Sequence, residues 1–216
     1  MWAIIVKDLT IEFRSKAGLL SIFVLGLLVL LIFQFALPER PTPESAAAAL
    51  CLAFVLAGTL GAQRTFLLER ERLSIDGLKT APIDPSSIFL AKMAGTLVTL
   101  TILQAVVVPL TALFFAVAPA APLSFALVCL LGNVGFSAVV TLFAAISVGT
   151  RAREVMLPLL VLPLLVPLLI AAVKASAVLL AGGAVREASV WIQVLAAFDA
   201  VFTAAGWLLF ESVLRE

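Results

Sequence analysis

Histidine and tyrosine are both absent from this 216-residue chain, and charged residues make up only 12% of it. Without histidine there is no imidazole general base, no histidine-containing catalytic triad and no imidazole ligand for a metal ion. The two cysteines form no CxxC motif, and the sequence contains no P-loop, GxGxxG, HExxH or nucleophile-elbow pattern. Conventional active-site chemistry is therefore nearly excluded, and if the protein uses ATP, another chain must supply the nucleotide site.

What the sequence has in excess is apolar residues. They make up 63% of the chain and the mean hydropathy is +1.23, whereas soluble domains are about half apolar and a quarter charged. The formal net charge is only +1, so no global field favours nucleic acid as a partner. The composition predicts an integral membrane protein in contact with a lipid bilayer.

Long charge-free runs define the membrane spans, because a spanning helix needs about 20 mostly apolar residues. The run 93–150 is long enough for two crossings, and Pro119 and Pro122 mark the turn between them. The last run is interrupted only by Asp199. The sequence therefore predicts an all-α membrane protein, a single polytopic domain over 1–216, with six transmembrane helices at about 18–37, 46–63, 93–117, 123–149, 156–173 and 190–210.

Lysine and arginine are distributed unevenly between the two sides that these spans define. If both termini lie on one side, that side holds 11 of the 14 basic residues, and the other holds Arg40, Lys174 and Arg186. Because cytoplasmic loops carry the excess of basic residues, both termini are predicted to be cytoplasmic. The first apolar run is too long for a signal peptide and is interpreted as a retained helix.

The N-terminal segment 2–16 has an amphipathic pattern. Apolar side chains, among them Trp2, Leu9 and Phe13, fall on one helical arc, and charged side chains lie elsewhere. A plain basic anchor would explain the charges but not the apolar stripe. The pattern favours a helix that lies in the cytoplasmic membrane interface.

The largest cytoplasmic segment, 64–92, carries five basic and four acidic residues. Asp76-Gly77 offers a turn, and Asp84-Pro85 is a helix start with an N-cap and a proline at the first helical position. These caps and the alternating charge signs favour a structured helical elbow over a solvated charge run. On the outer side, the apolar part of 174–189 is too short to span, and the sequence leaves open whether it forms a re-entrant or interfacial helix.

Small residues at four-residue spacing in the second span, namely Ala49, Ala53, Ala57 and Gly61, predict a helix-packing face, within the chain or against a second copy. In the fifth span, Pro158, Pro163 and Pro167 favour kinks. The kinks indicate either a helix that changes conformation or a helix with a fixed bent shape.

Asp199 lies about ten residues into the last predicted span. A mid-membrane carboxylate costs about 2.5–3.5 kcal/mol on insertion scales, so it is either a functional or paired group or a residue near an outer water-filled cleft. Cys51 and Cys129 are interpreted as core packing.

Two stretches of the sequence resemble the CcmB family. Residues 69–93, ERERLSIDGLKTAPIDPSSIFLAKM, are similar to its coupling segment, and residues 149–173, GTRAREVMLPLLVLPLLVPLLIAAV, resemble its short basic loop and Leu-Pro-rich fifth helix. The closing LLFESVLRE also resembles the family. The interfacial helix, the six spans and the elbow together resemble ABC-2-type permeases, the group to which this family belongs. The resemblance covers essentially the whole chain.

The resemblance implies a non-catalytic permease subunit of the cytochrome c maturation ABC complex in a bacterial inner membrane, which handles or exports haem for attachment to apocytochrome c. It implies two ATP-binding CcmA subunits, a second copy of the chain, CcmC and CcmD as partners, with ATP bound in CcmA. The residues predicted to couple to the ATPase lie in the elbow and the second cytoplasmic loop: Glu69, Arg70, Glu71, Asp76, Gly77, Arg151 and Arg153.

No cofactor or metal is expected to bind directly to this chain. With neither histidine nor tyrosine, only methionine or cysteine could ligate haem iron. Two other function classes were weighed. An ABC-2-type exporter of another substrate, such as a lipid or a drug, would share the architecture and stays open. A membrane-embedded enzyme is disfavoured, because Asp199 has no catalytic partner in the spans.

Overall fold

The structure is a computed structural model that describes residues 16–37, 41–71, 85–146 and 153–215. This part of the chain forms six α-helices and contains no β-strand, which confirms the all-helical prediction. The helices are α1 Lys16–Ala36, α2 Pro43–Glu71, α3 Pro85–Phe115, α4 Pro122–Ile146, α5 Arg153–Leu180 and α6 Val185–Arg215. The interfacial helix predicted over 2–16 and the centre of the elbow, 72–84, lie outside the described residues.

Five of the six helices in the described part of the chain are long and apolar enough to cross a membrane. Their apolar segments are Pro43–Ala62, Ser86–Phe115, Pro122–Ala144, Leu159–Leu180 and Val185–Phe210. The apolar segment of α1, Leu20–Ala36, is shorter. By length and composition the chain is a multi-pass membrane protein, with α1 in the place of the first predicted span.

Helices α2 and α4 form the centre of the bundle. The buried share of the apolar segment is 72% in α2 and 67% in α4. In the outer helices it is 22% for α3 and α6 and 33% for α5. Helix α1 packs on α2 and α3, whereas α5 packs on α2, α4 and α6, and α6 also contacts α3. The inner helices meet through Phe54 and Phe136, whose rings lie edge to face with centroids 5.2 Å apart.

The stripe of small residues on α2 packs within the chain, which is one of the two predicted alternatives; the other was packing against a second copy. Its members Ala49, Ala53, Ala57 and Gly61 are all buried. A Cβ placed on Gly26 of α1 would lie 3.8 Å from the Cβ of Ala57, so the two backbones approach closely.

Several helix ends follow the capping residues that the sequence offers. Helix α3 begins at Pro85, where the Asp84-Pro85 signal predicted a start, and runs without a break through Lys92 into the membrane span. Thr42 caps α2, since its Oγ1 accepts a hydrogen bond of 3.2 Å from the N–H of Ser45. The turn between α3 and α4 falls at 116–121, as the two prolines predicted.

The outer segment 174–189, all of it described, forms no separate re-entrant or interfacial helix. Residues 175–180 continue α5, because alanine, valine and leucine carry a helix onward until a glycine interrupts it. Gly182 adopts a φ of 79°, and the N–H of Gly183 donates a 2.9 Å hydrogen bond to the carbonyl of Val178. This pairing is a Schellman C-cap, which ends α5 and lets α6 begin at Val185.

Candidate functional site

Asp199 is buried near the middle of α6. Fourteen residues separate it from the start of the helix at Val185, which places it about 21 Å along the helix axis. Its exposed fraction is 6%, and neither carboxylate oxygen has a hydrogen-bond partner among the described residues. The side chain therefore lies inside the helix bundle and not in an outer water-filled cleft.

The carboxylate of Asp199 occupies a notch that Gly135 leaves in α4. A Cβ on Gly135 would collide with Asp199 Oδ1 and would lie 2.7 Å from Leu168 Cδ1 and 3.1 Å from Phe198 Cδ1. A side chain at this position would therefore force neighbouring side chains of α5 and α6 to shift, whatever the backbone conformation of Gly135. The surroundings that these neighbours provide are apolar, so an ionised carboxylate would be strongly disfavoured there.

A row of buried polar residues on α4 was not recognised from the sequence. Asn133, Ser137 and Thr141 are separated by four residues each and are at most 1% exposed. The Ser137 hydroxyl donates to the carbonyl of Val134, whereas Thr141 Oγ1 has no partner in the described part of the chain. The signal was available, because this spacing places the three side chains on one helical face in a charge-free run.

Asn133 connects α4 to α3. Its Nδ2 donates a 3.3 Å hydrogen bond to Thr101 Oγ1, and Thr101 donates its own proton to the carbonyl of Leu97 at 2.7 Å. The Oδ1 atom of Asn133 is buried and has no partner within the described ranges. Thr101 cannot supply that missing donor, since its single hydroxyl proton is already used.

The three prolines of α5 lie within one continuous helix. Pro163 and Pro167 are exposed on the outside of the bundle, on the same face as Leu159 and Ile170. The helix runs from Arg153 through all three prolines. Their predicted role as kinks stays a prediction.

The two cysteines line one small cavity of about 20 Å³ between α2, α4 and α5, to which Gln104 of α3 also contributes. Both thiols are free and half-buried. Their neighbours in this cavity include Leu168 and Ser176. Among the residues that the structure describes, no group of three or more histidine, cysteine, aspartate or glutamate side chains could hold a metal ion.

Four of the seven predicted coupling residues lie at the ends of two helices. Glu69, Arg70 and Glu71 form the last turn of α2, and Arg153 is the first residue of α5. Helices α2 and α5 pack against each other. Asp76, Gly77 and Arg151 lie outside the described residues, so the structure does not bring the full predicted set together.

Comparison with known proteins agrees with the helical membrane architecture. Residues 1–214 match the model of the family described as CcmB protein. Heme exporter protein B of Rhodobacter capsulatus is 33% identical over 176 residues, and heme exporter protein B of Paracoccus denitrificans is 32% identical over 177 residues. Each of these alignments covers 79% of this chain and 79% of the relative. The match over nearly its whole length, on a bundle of apolar helices, shows that the chain belongs to the CcmB family.

Proposed function

We propose that this chain is the permease subunit of an ABC transporter complex that exports or handles haem for cytochrome c maturation. The observation that carries the proposal is the family match over residues 1–214, together with two relatives that bear the name heme exporter protein B. The complex would sit in a bacterial inner membrane, with the permease's two termini in the cytoplasm. Its partners would be two CcmA subunits that hydrolyse ATP, a second permease copy, CcmC and CcmD.

Two long helices give the proposed coupling a mechanical basis. Helix α2 counts 29 residues and so extends about 43 Å, more than the roughly 30 Å hydrocarbon core of a bilayer. Its apolar segment ends at Ala62, and the helix continues through Glu71 without interruption. Helix α3 begins at Pro85, one residue before its apolar segment, and its 31 residues extend about 46 Å, which is also more than the hydrocarbon core. A movement of the elbow between them would therefore reach the buried centre of the bundle through two continuous helices.

Charge reversal at Glu71 tests this coupling. The variant Glu71→Lys is expected to insert normally but to lose most of its association with the ATP-binding subunit, because opposite charges set the register of a polar interface. Co-purification of the ATP-binding subunit and the ATPase activity of the complex are the measurements.

The matched control is Glu187→Lys, a reversal of the same kind at an exposed residue in the first turn of α6. This control is expected to retain both properties, because the proposed topology puts Glu187 on the opposite side of the membrane. Full association and activity in the Glu71 variant would rule out the elbow as the contact.

The proposed orientation rests on the 11-to-3 distribution of basic residues and is tested by cysteine labelling. In a background without Cys51 and Cys129, single cysteines at Ser74 and Ser189 are expected to react from opposite sides of the membrane. A membrane-impermeant maleimide added to intact cells or spheroplasts should label the Ser189→Cys variant and spare Ser74→Cys. Labelling of Ser74→Cys from outside would overturn the orientation.

Haem in the complex is expected to be ligated by a partner chain. The soft donors of this chain are limited to Met1, Met93, Met156, Cys51 and Cys129, since histidine and tyrosine are absent. The two thiols line an apolar cavity, which disfavours the thiolate that iron requires. Haem titrated into the purified subunit should give only a broad Soret band. A sharp low-spin spectrum that disappears when one of these five residues is replaced would contradict the expectation.

A further inference from the structure

A groove of about 500 Å³ runs between α3 and α4 on the outside of the bundle. Its lips include the exposed residues Ala105 and Ala126, so it opens sideways, toward the bilayer of a membrane-embedded chain. The groove begins at Pro122, the first residue of α4, and reaches Asn133, eleven residues or about 16 Å further along the helix. It therefore extends from one end of the helix pair to near the middle of the span.

The dimensions of the groove favour a flexible apolar chain as its occupant. A volume of about 500 Å³ along about 16 Å of helix describes an elongated space and not a compact cavity. The volume also lies within the range of about 300–1,000 Å³ that small-molecule sites usually have. The walls, to which Val108, Phe125 and Leu130 contribute, are apolar.

One buried acceptor in the groove has no donor among the described residues, and a second has lost its usual helical donor. Asn133 lines its deep end and is 1% exposed, and its Oδ1 has no partner among the described residues. Pro109 lies inside α3 and has no N–H, so the carbonyl of Ala105, four residues earlier, loses its usual helical donor. Both residues line the groove, and the half-buried amide of Gln104 lies beside them. Unpaired acceptors in a hydrocarbon environment favour a ligand that brings a donor.

We propose that the α3–α4 groove binds an amphiphile from the bilayer, a long apolar chain with a hydroxyl or N–H donor that reaches Asn133 Oδ1 at the deep end. An ordinary phospholipid acyl chain fills such a groove with its terminal methyl group and leaves both acceptors unpaired. The donor thus distinguishes this ligand class from bulk lipid. The proposal concerns a site on the outside of the bundle and is independent of the haem function.

Photolabelling of the full-length chain in phosphatidylcholine nanodiscs tests the proposal. The probe is a twelve-carbon primary alcohol with a diazirine in its chain, and the comparison probe is its methyl ether, which has no donor. The alcohol is expected to label peptides covering 101–109 and 122–133 in a saturable manner, and dodecan-1-ol should compete. The methyl ether should label these peptides several-fold less, because one net hydrogen bond corresponds to roughly a threefold to tenfold change in affinity.

Two variants and one control make the result specific. Asn133→Leu should reduce alcohol labelling threefold to tenfold, and Ala126→Trp should block it by filling the groove from an exposed position without disturbing the core. The control Thr141→Val removes another buried hydroxyl of α4 that does not line the groove, and it should label like the unmodified chain.

Equal labelling by the alcohol and the ether would show an adventitious lipid contact only and would overturn the proposal. Retained labelling of Ala126→Trp would do the same. The proposal would also fall if a cysteine at Ala126, in the intact complex, formed crosslinks to a transmembrane helix of a partner and the alcohol no longer labelled the groove, since the occupant would then be a protein.

Discussion

Replacing Gly206 with alanine is expected to destabilise the helix bundle by about 1–3 kcal/mol, the usual cost of overpacking a core. A Cβ on Gly206 of α6 would collide with Phe89 Cζ of α3 and would lie 2.6 Å and 2.9 Å from its Cε2 and Cε1 atoms. The Phe89 ring cannot retreat, because it is 0% exposed and packs on Phe210 with ring centroids 5.5 Å apart. Thermal unfolding of the purified variant in detergent should show the loss.

Gly132→Ala is the matched control for this substitution. Apart from its chain neighbours and the backbone of its own helical turns, no described residue has an atom within 4 Å of a Cβ placed on Gly132, although this glycine also lies inside a membrane helix. Alanine is the better helix former, so the control is expected to keep or raise the unfolding temperature. Equal unfolding temperatures for Gly206→Ala and Gly132→Ala would mean that the α3–α6 contact is not as close as described.

Asp199→Leu is expected to raise the stability of the helix bundle and to lower its transport function. The substitution removes two buried carboxylate oxygens that have no partner among the described residues, and burial of such polar atoms costs about 1–3 kcal/mol in proteins. The variant should therefore unfold at a higher temperature than the unmodified chain. If Asp199 is retained for transport, the same variant should lose most haem attachment to a reporter c-type cytochrome in cells.

The size-matched variant Asp199→Asn checks the physical cause. It keeps the shape that fits the Gly135 notch and keeps polar atoms in the apolar site, but it cannot ionise. It should unfold at a temperature close to that of the unmodified chain, and its activity reports whether ionisation matters. Full cytochrome maturation with Asp199→Leu would show that the carboxylate has no role in transport.

Most of the helical framework could be predicted from the sequence, because its signals are local. The turn at Pro119 and Pro122, the helix start at Pro85 and the stripe that includes Ala53 and Ala57 all appear where the residues indicated. Each depends on a few neighbouring residues, namely prolines that cannot continue a helix, capping residues, or small residues at a helical spacing.

The pairing of helix faces could not be predicted in the same way. In a membrane protein the residues that face lipid are as apolar as those that face the core, so hydropathy does not show which face is inside. The notch at Gly135 and the close contact at Gly206 depend on which helices meet, and no local pattern marks either glycine. The continuation of α5 to Leu180 has no clear local signal, because the charged and exposed Lys174 interrupts the apolar run that defines the span.

The central claim, that the chain is the permease of an ATP-driven complex for cytochrome c maturation, is tested most directly by affinity purification of the tagged full-length chain in mild detergent. We expect an ATP-binding subunit, CcmC and CcmD to co-purify, and we expect the isolated complex to hydrolyse ATP. Purification without any ATP-binding chain would contradict the account. Recovery of an active ATPase without CcmC and CcmD would instead indicate an exporter of another substrate, such as a lipid or a drug.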